Sequence, residues 1–573
     1  MTKILNSPAV LITLLIAPIA VFFVYFFALR YDIPWFDEYE NIPYFLQQFL
    51  DAQSIREQFD ALLKPNNEHR VLYARLVVYG QYLLTGGISF QGLMLWGNLG
   101  LVVIFCLLYK STQSLLTAHW YASPALLLLP VPLILFTAQN YLLTFTAIYT
   151  LQYLAIIMLV MVAFFVLAFD KPAAFVGALG LGALATFSMG NGLLLWPAGA
   201  IMLIIRRRWL WLGVWVTFGA VCVWLYFRNY PVQQGNSEGF AYVLEHPLQT
   251  LAGFFVFAGS LFDFFPAWPL EKRVVLPLVA GIVLVGVLGF WLVRVVFRKE
   301  ANRRNAGPRN ACRSHFETFL TGVALFLLAN MALIAVFRIR FYFGMVLHSS
   351  YRTYALVLWA VGYLVLISLL KPQNRPRWVL ALWVLFLGVN VLSYVTYVPE
   401  AIQRRNQMQG LTFNQQHNQI GLGGTHNSAL ARWIVELDST MRVRGWHTLP
   451  NPAIAPGEKQ LLKPAPTAVK STLLRIVDQP DYITIESYEA DYRAGIRERL
   501  YVVFWPTNAP ERAYVMVAEL HKPTGLNPFS RPNGWTASMP KALLPPGNYA
   551  IGLYTTTPET TSLISTGRVV VVK

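Results

Sequence analysis

The sequence predicts a polytopic α-helical membrane protein that ends in a mainly β domain. Three observations lead there. Apolar residues make up 56% of the chain and charged residues only 13%, against about 25% charge in soluble domains. The apolar residues arrive in blocks of about 20, the length that crosses a bilayer as a helix. After Val398 such blocks stop, and prolines, charges and short β-like runs replace them. A single soluble globule is thereby excluded. So is a disordered chain, because aromatics alone reach 14%.

The first apolar segment, 8–29, resembles a signal sequence but is long and has no small-residue cleavage site, so it reads as a retained anchor. Lys3 places its start in the cytoplasm, and residues 31–88 then form the first outer loop. Further spans fall at 90–109, 120–137, 146–168, 173–189, 192–205, 209–227, 274–297, 316–337, 354–370 and 378–397, giving about eleven in all. Lys110, Lys171, Arg206 to Arg208, Arg298 to Arg313 and the Lys371 cluster then share the inner side, as the positive-inside rule requires. This placement accounts for the net charge of +17 and removes the nucleic-acid reading that such a charge invites. The basic loop 298–313 reads as a disordered or solvated topology determinant.

Residues 249–265 are apolar but short, with Gly253, Gly259 and Asp263 inside. A full span there would move Arg298 to Arg313 outside, so the segment reads as re-entrant or interfacial on the outer side. Residues 1–397 are the membrane domain. Residues 398–470 read as a loop-rich connector with a helix near 427–443, and 471–573 as a small β-sandwich placed outside by the odd span count. Cys106, Cys222 and Cys312 are too few and too scattered for a disulfide framework.

The first outer loop carries the most chemistry. Trp35-Phe36-Asp37-Glu38 follows the first span directly. From Ile42 the apolar residues keep helical spacing to Leu63, which predicts an amphipathic interfacial helix. A break at Pro65-Asn66-Asn67 leads through Glu68-His69-Arg70 into a second such helix ending near Leu84. A carboxylate beside lipid is costly unless it is paired or wet. A half-buried Asp37 would have a raised pKa and could take a proton from a hydroxyl; the bland alternative is that Asp37 and Glu38 end a helix in solvent, with Trp35 and Tyr39 in the interfacial belt.

Arg338, Arg340 and Arg352 break the charge rule at outer span ends. Guanidiniums there suit a phosphate in forked geometry, or else lipid head groups and snorkelling. Arg70 reads as a phosphate ligand or a partner of Glu68, and His69 as a contact to an acceptor or to Asp37. Gln139, Asn140 and Asn191 sit at outer span ends, where amides suit sugar hydroxyls or cap helices. Trp196 is a belt or sugar-stacking residue.

Together these stretches resemble the GT-C superfamily of integral membrane glycosyltransferases. The chain is similar to protein O-mannosyltransferases, the lipid A aminoarabinose transferase and O-antigen glucosyltransferases. The resemblance rests on Trp35-Phe36-Asp37-Glu38, Asn67-Glu68-His69-Arg70, Gln139-Asn140, Ser188 to Gly192 with Trp196-Pro197, and Ser349-Ser350-Tyr351-Arg352. It covers about residues 8–397 and leaves the tail uncovered. It implies a GT-C-like fold with about eleven membrane helices plus interfacial helices. It also implies a hexosyl- or pentosyltransferase of the bacterial inner membrane, with the C-terminal domain periplasmic.

The donor implied is a polyprenyl-phosphate-linked sugar, and the acceptor a hydroxyl of an envelope glycan such as lipopolysaccharide, a glycolipid or a protein. Transfer would be inverting. Asp37 would be the general base with Glu38 beside it. Arg338, Arg340, Arg352 and Arg70 would hold the donor phosphate. Glu68, His69, Gln139, Asn140, Asn191, Trp196 and Tyr351 would contact substrate. The second outer loop, Phe136 to Tyr141, lacks the acid that several relatives carry there, so no obligatory metal or other cofactor is expected. The rival reading is a transporter or flippase of lipid-linked glycans without transfer chemistry. It leaves the acidic first loop and the outer tail unexplained, and the two similar halves common in transporters are absent from the sequence. A third is a non-catalytic scaffold. Walker, zinc-protease and CxxC motifs are absent.

Overall fold

The computed structural model describes all residues except 1–6, 68, 114–123, 231–234, 297–307, 464–473, 489–497, 510, 523, 526, 528, 529, 531 and 558. The chain forms two compact units. One comprises Met1–Ala28, Phe49–Val77 and Leu93–Tyr397; the other comprises Leu29–Gln48, Val78–Gly92 and Val398–Lys573.

Among the described residues nine helices are long and apolar enough to cross a membrane: Ala9–Leu29, Phe90–Gln113, Leu126–Thr144, Ala147–Leu167, Trp209–Phe227, Leu270–Val296, His315–Arg338, Arg352–Leu369 and Arg375–Asn418. The two remaining expected spans form shorter helices, Pro172–Thr186 and Gly190–Ile205. A helix rises about 1.5 Å per residue, so these fall short of a full bilayer core of about 30 Å.

The third span departs from the expected continuous 120–137 helix; residues 120–123 lie outside the described set. Pro130 and Pro132 break it into pieces, Pro124–Leu128 and Pro130–Leu135, before a turn at Ala138–Asn140. Proline removes donors and frees carbonyls, which must find partners at membrane depth. Asn390 supplies them: its Nδ2 donates to Leu133 O at 2.8 Å and Phe136 O at 3.0 Å. The Ala138 N–H donates to Ser393 Oγ at 3.0 Å.

The apolar segment 249–265 takes in most of the helix Pro247–Ala258 and the turn Ser260–Phe262. It packs backbone to backbone against the helix Val275–Val296. A Cβ added at Gly259 would lie 1.8 Å from Pro277 O, and one at Gly281 1.8 Å from Phe255 O. Small residues allow this approach between apolar helices. The basic stretch expected to be solvated is partly helical, because the helix Pro308–Arg338 starts inside it.

The helix expected at 378–397 runs from Arg375 to Asn418, 44 residues. Hydropathy ends its apolar part near Tyr397, but helical pairing does not depend on hydropathy. The polar continuation stays buried in the second unit by making specific bonds. Asn414 Nδ2 donates to Val515 O at 2.9 Å, and the Val515 N–H returns a bond to Asn414 Oδ1 at 2.9 Å. One amide side chain thus pairs an edge strand as a neighbouring strand would.

Among its described residues the second unit holds eight strands: β1 Leu474–Asp478, β2 Tyr482–Ser487, β3 Arg499–Pro506, β4 Tyr514–Val517, β5 Glu519–Leu520, β6 Trp535–Pro540, β7 Gly547–Thr556 and β8 Thr561–Val572. They form two antiparallel sheets, ordered β1-β2-β6-β5 and β4-β3-β7-β8. Ile483, Ile485 and Met539 from one meet Val502, Phe504 and Ile551 from the other in a shared core. β3 is buried on both faces. Its alternate residues Tyr501, Val503 and Trp505 pack with Phe413, Ile454 and Leu461, which explains its uninterrupted apolar run. β6 lies outside the runs that read as strands; WTASMP has one β-branched residue and ends in Pro540, which leaves its strand signal weak. The connector helix lies at Ala429–Val443, capped by Ser428 Oγ accepting from Ala431 N at 3.0 Å.

Gly281→Ala should lower the thermal midpoint of the detergent-solubilised protein, because the added methyl meets a carbonyl oxygen and overpacking of this kind costs about 1–3 kcal/mol. Gly286→Ala on the same helix has open space around its Cβ and should leave the midpoint unchanged or raise it.

Candidate functional site

In the second unit, Asp37 opens a short helix, Asp37–Tyr39, that widens into a π-turn at Glu40–Tyr44 around Pro43. Pro43 cannot donate to the preceding turn, and π-turns of this kind often sit at functional sites. Phe36, just before Asp37, has φ 48°. That region is costly for a bulky residue, about 1–3 kcal/mol, and persists only where neighbours hold it. Several do. The Phe36 N–H donates to Leu422 O at 3.1 Å. The Trp35 N–H donates to Glu38 Oε2 at 2.9 Å, while the Glu38 N–H returns to Trp35 O at 3.1 Å. Arg404 stacks over the Trp35 ring at 4.2 Å.

Glu38 is thus buried as a clasp of its own turn. Asp37 differs. It is half-buried, and its carboxylate has no hydrogen-bond or ion-pair partner among the described residues. Burial, and then the neighbouring Glu40 carboxylate, push its carboxyl above the ordinary 3.8. A carboxyl so placed can accept a proton more readily than a solvated one.

Tyr39 ties the same helix to Asp438. Its hydroxyl donates to Asp438 Oδ1 at 3.0 Å, and Gln415 Nε2 donates to Asp438 Oδ2 at 3.0 Å. Burial still lifts the Asp438 carboxyl to about 6. Tyr31 is pushed up to about 12 by burial, partly offset by Arg404.

In the first unit, the expected phosphate ligands have definite partners. Arg70 does not hold an exposed fork. Its Nε donates to Tyr226 O at 3.0 Å, its Nη2 to Arg228 O at 2.8 Å, and its Nη1 to Leu63 O. Helix ends leave such carbonyls unpaired, and here the Arg70 guanidinium fills them. Glu68 lies outside the described residues. His69 shares two backbone bonds with Asn66, at 2.7 and 2.9 Å. Arg340 donates to Glu238 Oε2 at 3.1 Å and lies 4.6 Å over the Phe341 ring. Arg338 ends its helix, half-buried.

Arg352 is fully buried and bound to Asp263 and to Leu347 O. Asp263 also takes Arg273 in forked geometry, Nε to Oδ1 at 2.8 Å and Nη2 to Oδ2 at 2.6 Å. Tyr397 completes the group, its hydroxyl 2.7 Å from Asp263 O and 3.1 Å from Oδ2. His348 bonds Ser350 Oγ at 2.6 Å, and burial, then Arg352, lower it to about 4.

The expected sugar contacts are mostly stitching bonds. Gln139 Nε2 donates to Leu261 O at 2.8 Å, while the Gln139 main-chain carbonyl accepts from Ser349 Oγ at 2.6 Å. Asn140 is buried, with Oδ1 unpartnered among the described residues. Asn191 Nδ2 donates to Tyr354 Oη at 3.1 Å. Tyr351 packs edge-on against Tyr153 at 5.4 Å. Trp196 is 6% exposed, closed in by Gly182, Gly219 and Trp215, and donates to Thr186 Oγ1 at 2.8 Å. Neither an interfacial belt nor an open ring face for a sugar is left to it.

Asp263, Arg273, Tyr397, Arg404 and Asp438 were missed as site residues. Asp263 had a signal, an acid inside an apolar segment. Arg273 lies ten residues from Asp263, across a turn; Tyr397, Arg404 and Asp438 lie far along the chain from what they touch. Among the described residues no group of three or more His, Cys, Asp or Glu could hold a metal ion.

The chain matches no protein-family model, no curated protein and no solved structure.

Asp438 gives a pH signature. Its folded-state value of about 6 exceeds the ordinary 3.8, so between these the folded protein holds more protons than the unfolded chain, and stability from this group falls as pH rises through the window. Thermal midpoints measured from pH 4 to 7 should therefore carry a downward contribution that Asp438→Asn removes.

Proposed function

We propose that this protein is a GT-C-like glycosyltransferase with about eleven membrane-embedded helices, resident in a bacterial inner membrane with its β domain in the periplasm. It moves a monosaccharide from a polyprenyl-phosphate carrier to a hydroxyl of an envelope glycan, glycolipid or protein. Asp37 takes the acceptor proton as the hydroxyl attacks the anomeric carbon. The carbon–phosphate oxygen bond breaks, and the polyprenyl phosphate leaves with inversion. Glu38 holds the Asp37 turn in place.

The observation that carries the reading is the setting of Asp37. Its carboxylate is half-buried and has no partner among the described residues. It follows a strained residue that its surroundings hold in position. A helix end in solvent would need neither the strain nor the Glu38 clasp. The nine apolar helices supply the lipid environment such a donor requires.

The test uses the purified full chain in nanodiscs with a polyprenyl-phosphate sugar and envelope glycan. Wild type should release free polyprenyl phosphate. Asp37→Asn, with an unchanged thermal midpoint, should slow release by about 10²–10⁴-fold. If donor crosses proteoliposome membranes without any release, the protein is a flippase and the transferase reading fails.

A further inference from the structure

The group around Asp263 carries an unbalanced charge. One carboxylate, with a side-chain exposure of 0%, receives two guanidiniums. Both bind the same oxygen, Oδ2, through their Nη2 atoms. The two cations thus converge on one atom, although like charges repel. Neither arginine has another acidic partner among the described residues. The count is two positive charges to one negative. Burying a net charge is expensive unless something compensates it. Stacking of Arg352 over the Tyr397 ring at 4.6 Å spreads the charge but does not cancel it.

The hydrogen bonds leave the same deficit. Asp263 is saturated by Arg273, Arg352 and Tyr397. Arg352 Nε and Nη2 are spent on Leu347 O and Asp263. Its Nη1 is buried and has no acceptor among the described residues. Guanidinium donors are rarely left so. Arg273 Nη1 reaches only Pro266 O at 3.4 Å, a long bond. Arg273 is also the one charged member with an opening to the surface, at 18% side-chain exposure against 2% for Arg352.

We propose that Arg273 and Arg352 form an anion-binding site for a phosphate group, built around Asp263 as an internal carboxylate that holds the two guanidiniums together. An incoming phosphate takes Arg352 Nη1 and Arg273 Nη1, restores neutrality, and competes with Asp263 for the same cations. Asp263 is a positioning residue. It keeps two cations side by side before the ligand arrives, and it limits how tightly the ligand is held. The site rests on charge count and unmet donors; its assignment to the phosphate of a lipid-linked sugar, or of the carrier left behind, rests on the function proposed above.

The test is a binding titration on the purified full chain, following the thermal midpoint with three probes. These are inorganic phosphate, decyl phosphate, and nanodiscs with or without phosphatidylglycerol. A saturable rise with decyl phosphate alone assigns a lipid-linked phosphate; with inorganic phosphate as well, a free phosphate; with phosphatidylglycerol, a bilayer head group. Arg273→Gln leaves a neutral Asp263–Arg352 pair, so it should fold with a similar midpoint yet bind the effective probe about 10- to 100-fold more weakly. Asp263→Asn removes the internal competitor and should tighten binding while lowering the midpoint without ligand. If Asp263→Asn does not fold, wild type against Arg273→Gln decides. The proposal is overturned if no probe gives a saturable rise, if Arg273→Gln binds within about two-fold of wild type, or if folded Asp263→Asn binds no tighter.

The outcome is separable from the transfer assay. Arg273-dependent binding without release of polyprenyl phosphate keeps the site and sinks the transferase. Asp37-dependent transfer without such binding does the reverse.

Discussion

The membrane unit depends on satisfying polar groups where water is scarce. Its solution is to recruit side chains from helices distant in sequence. Asn390 and Ser393 repair the proline-broken third span. Ser349 and Leu261 hold Gln139. Arg70 fills the carbonyls at two helix ends. Asp263 is the strictest case, because a buried carboxylate without partners would be far costlier than an unmade neutral bond. Meeting that demand draws Arg273, Arg352 and Tyr397 to one point and fixes the ends of the segments that carry them. The close backbone contact of Gly259 with the helix Val275–Val296 brings Asp263 within reach of Arg273.

The Asp37 turn follows a different logic. Here the neighbours stabilise an unfavourable backbone, and one carboxyl is left without a partner among the described residues. Glu38, the next residue, is chemically similar but buried and bonded through Oε2 to the Trp35 N–H. Two adjacent acids therefore have opposite fates. The cause is local geometry, since the turn aims one side chain back at the Trp35 N–H and the other away.

Much of the architecture was legible in the sequence. Long apolar blocks report spans because hydrocarbon tolerates little else, and the β runs of the tail show in LYVVFW and NYAIGLY. Failures fell where hydropathy and secondary structure part company. The helix Arg375–Asn418 continues past its apolar half because Asn414 and its neighbours are bonded, which composition does not reveal. Pro130 and Pro132 break a segment that hydropathy reads as whole. For the site, the sequence could flag Asp37 and the misplaced arginines by type and position. It could not show that Arg70 is spent on carbonyls, that Trp196 is sealed between glycines, or that Asp263 is the partner of Arg352. Such facts depend on pairings across many residues, and a single chain read in order carries no measure of them.

The paired guanidiniums also divide the chain's many cations into two kinds. Exposed lysines and arginines sit in electrolyte, where mobile ions damp their fields over about 8–10 Å. Arg352 is shut away from that medium. Ionic strength should quench the first population and reach Arg352 far less.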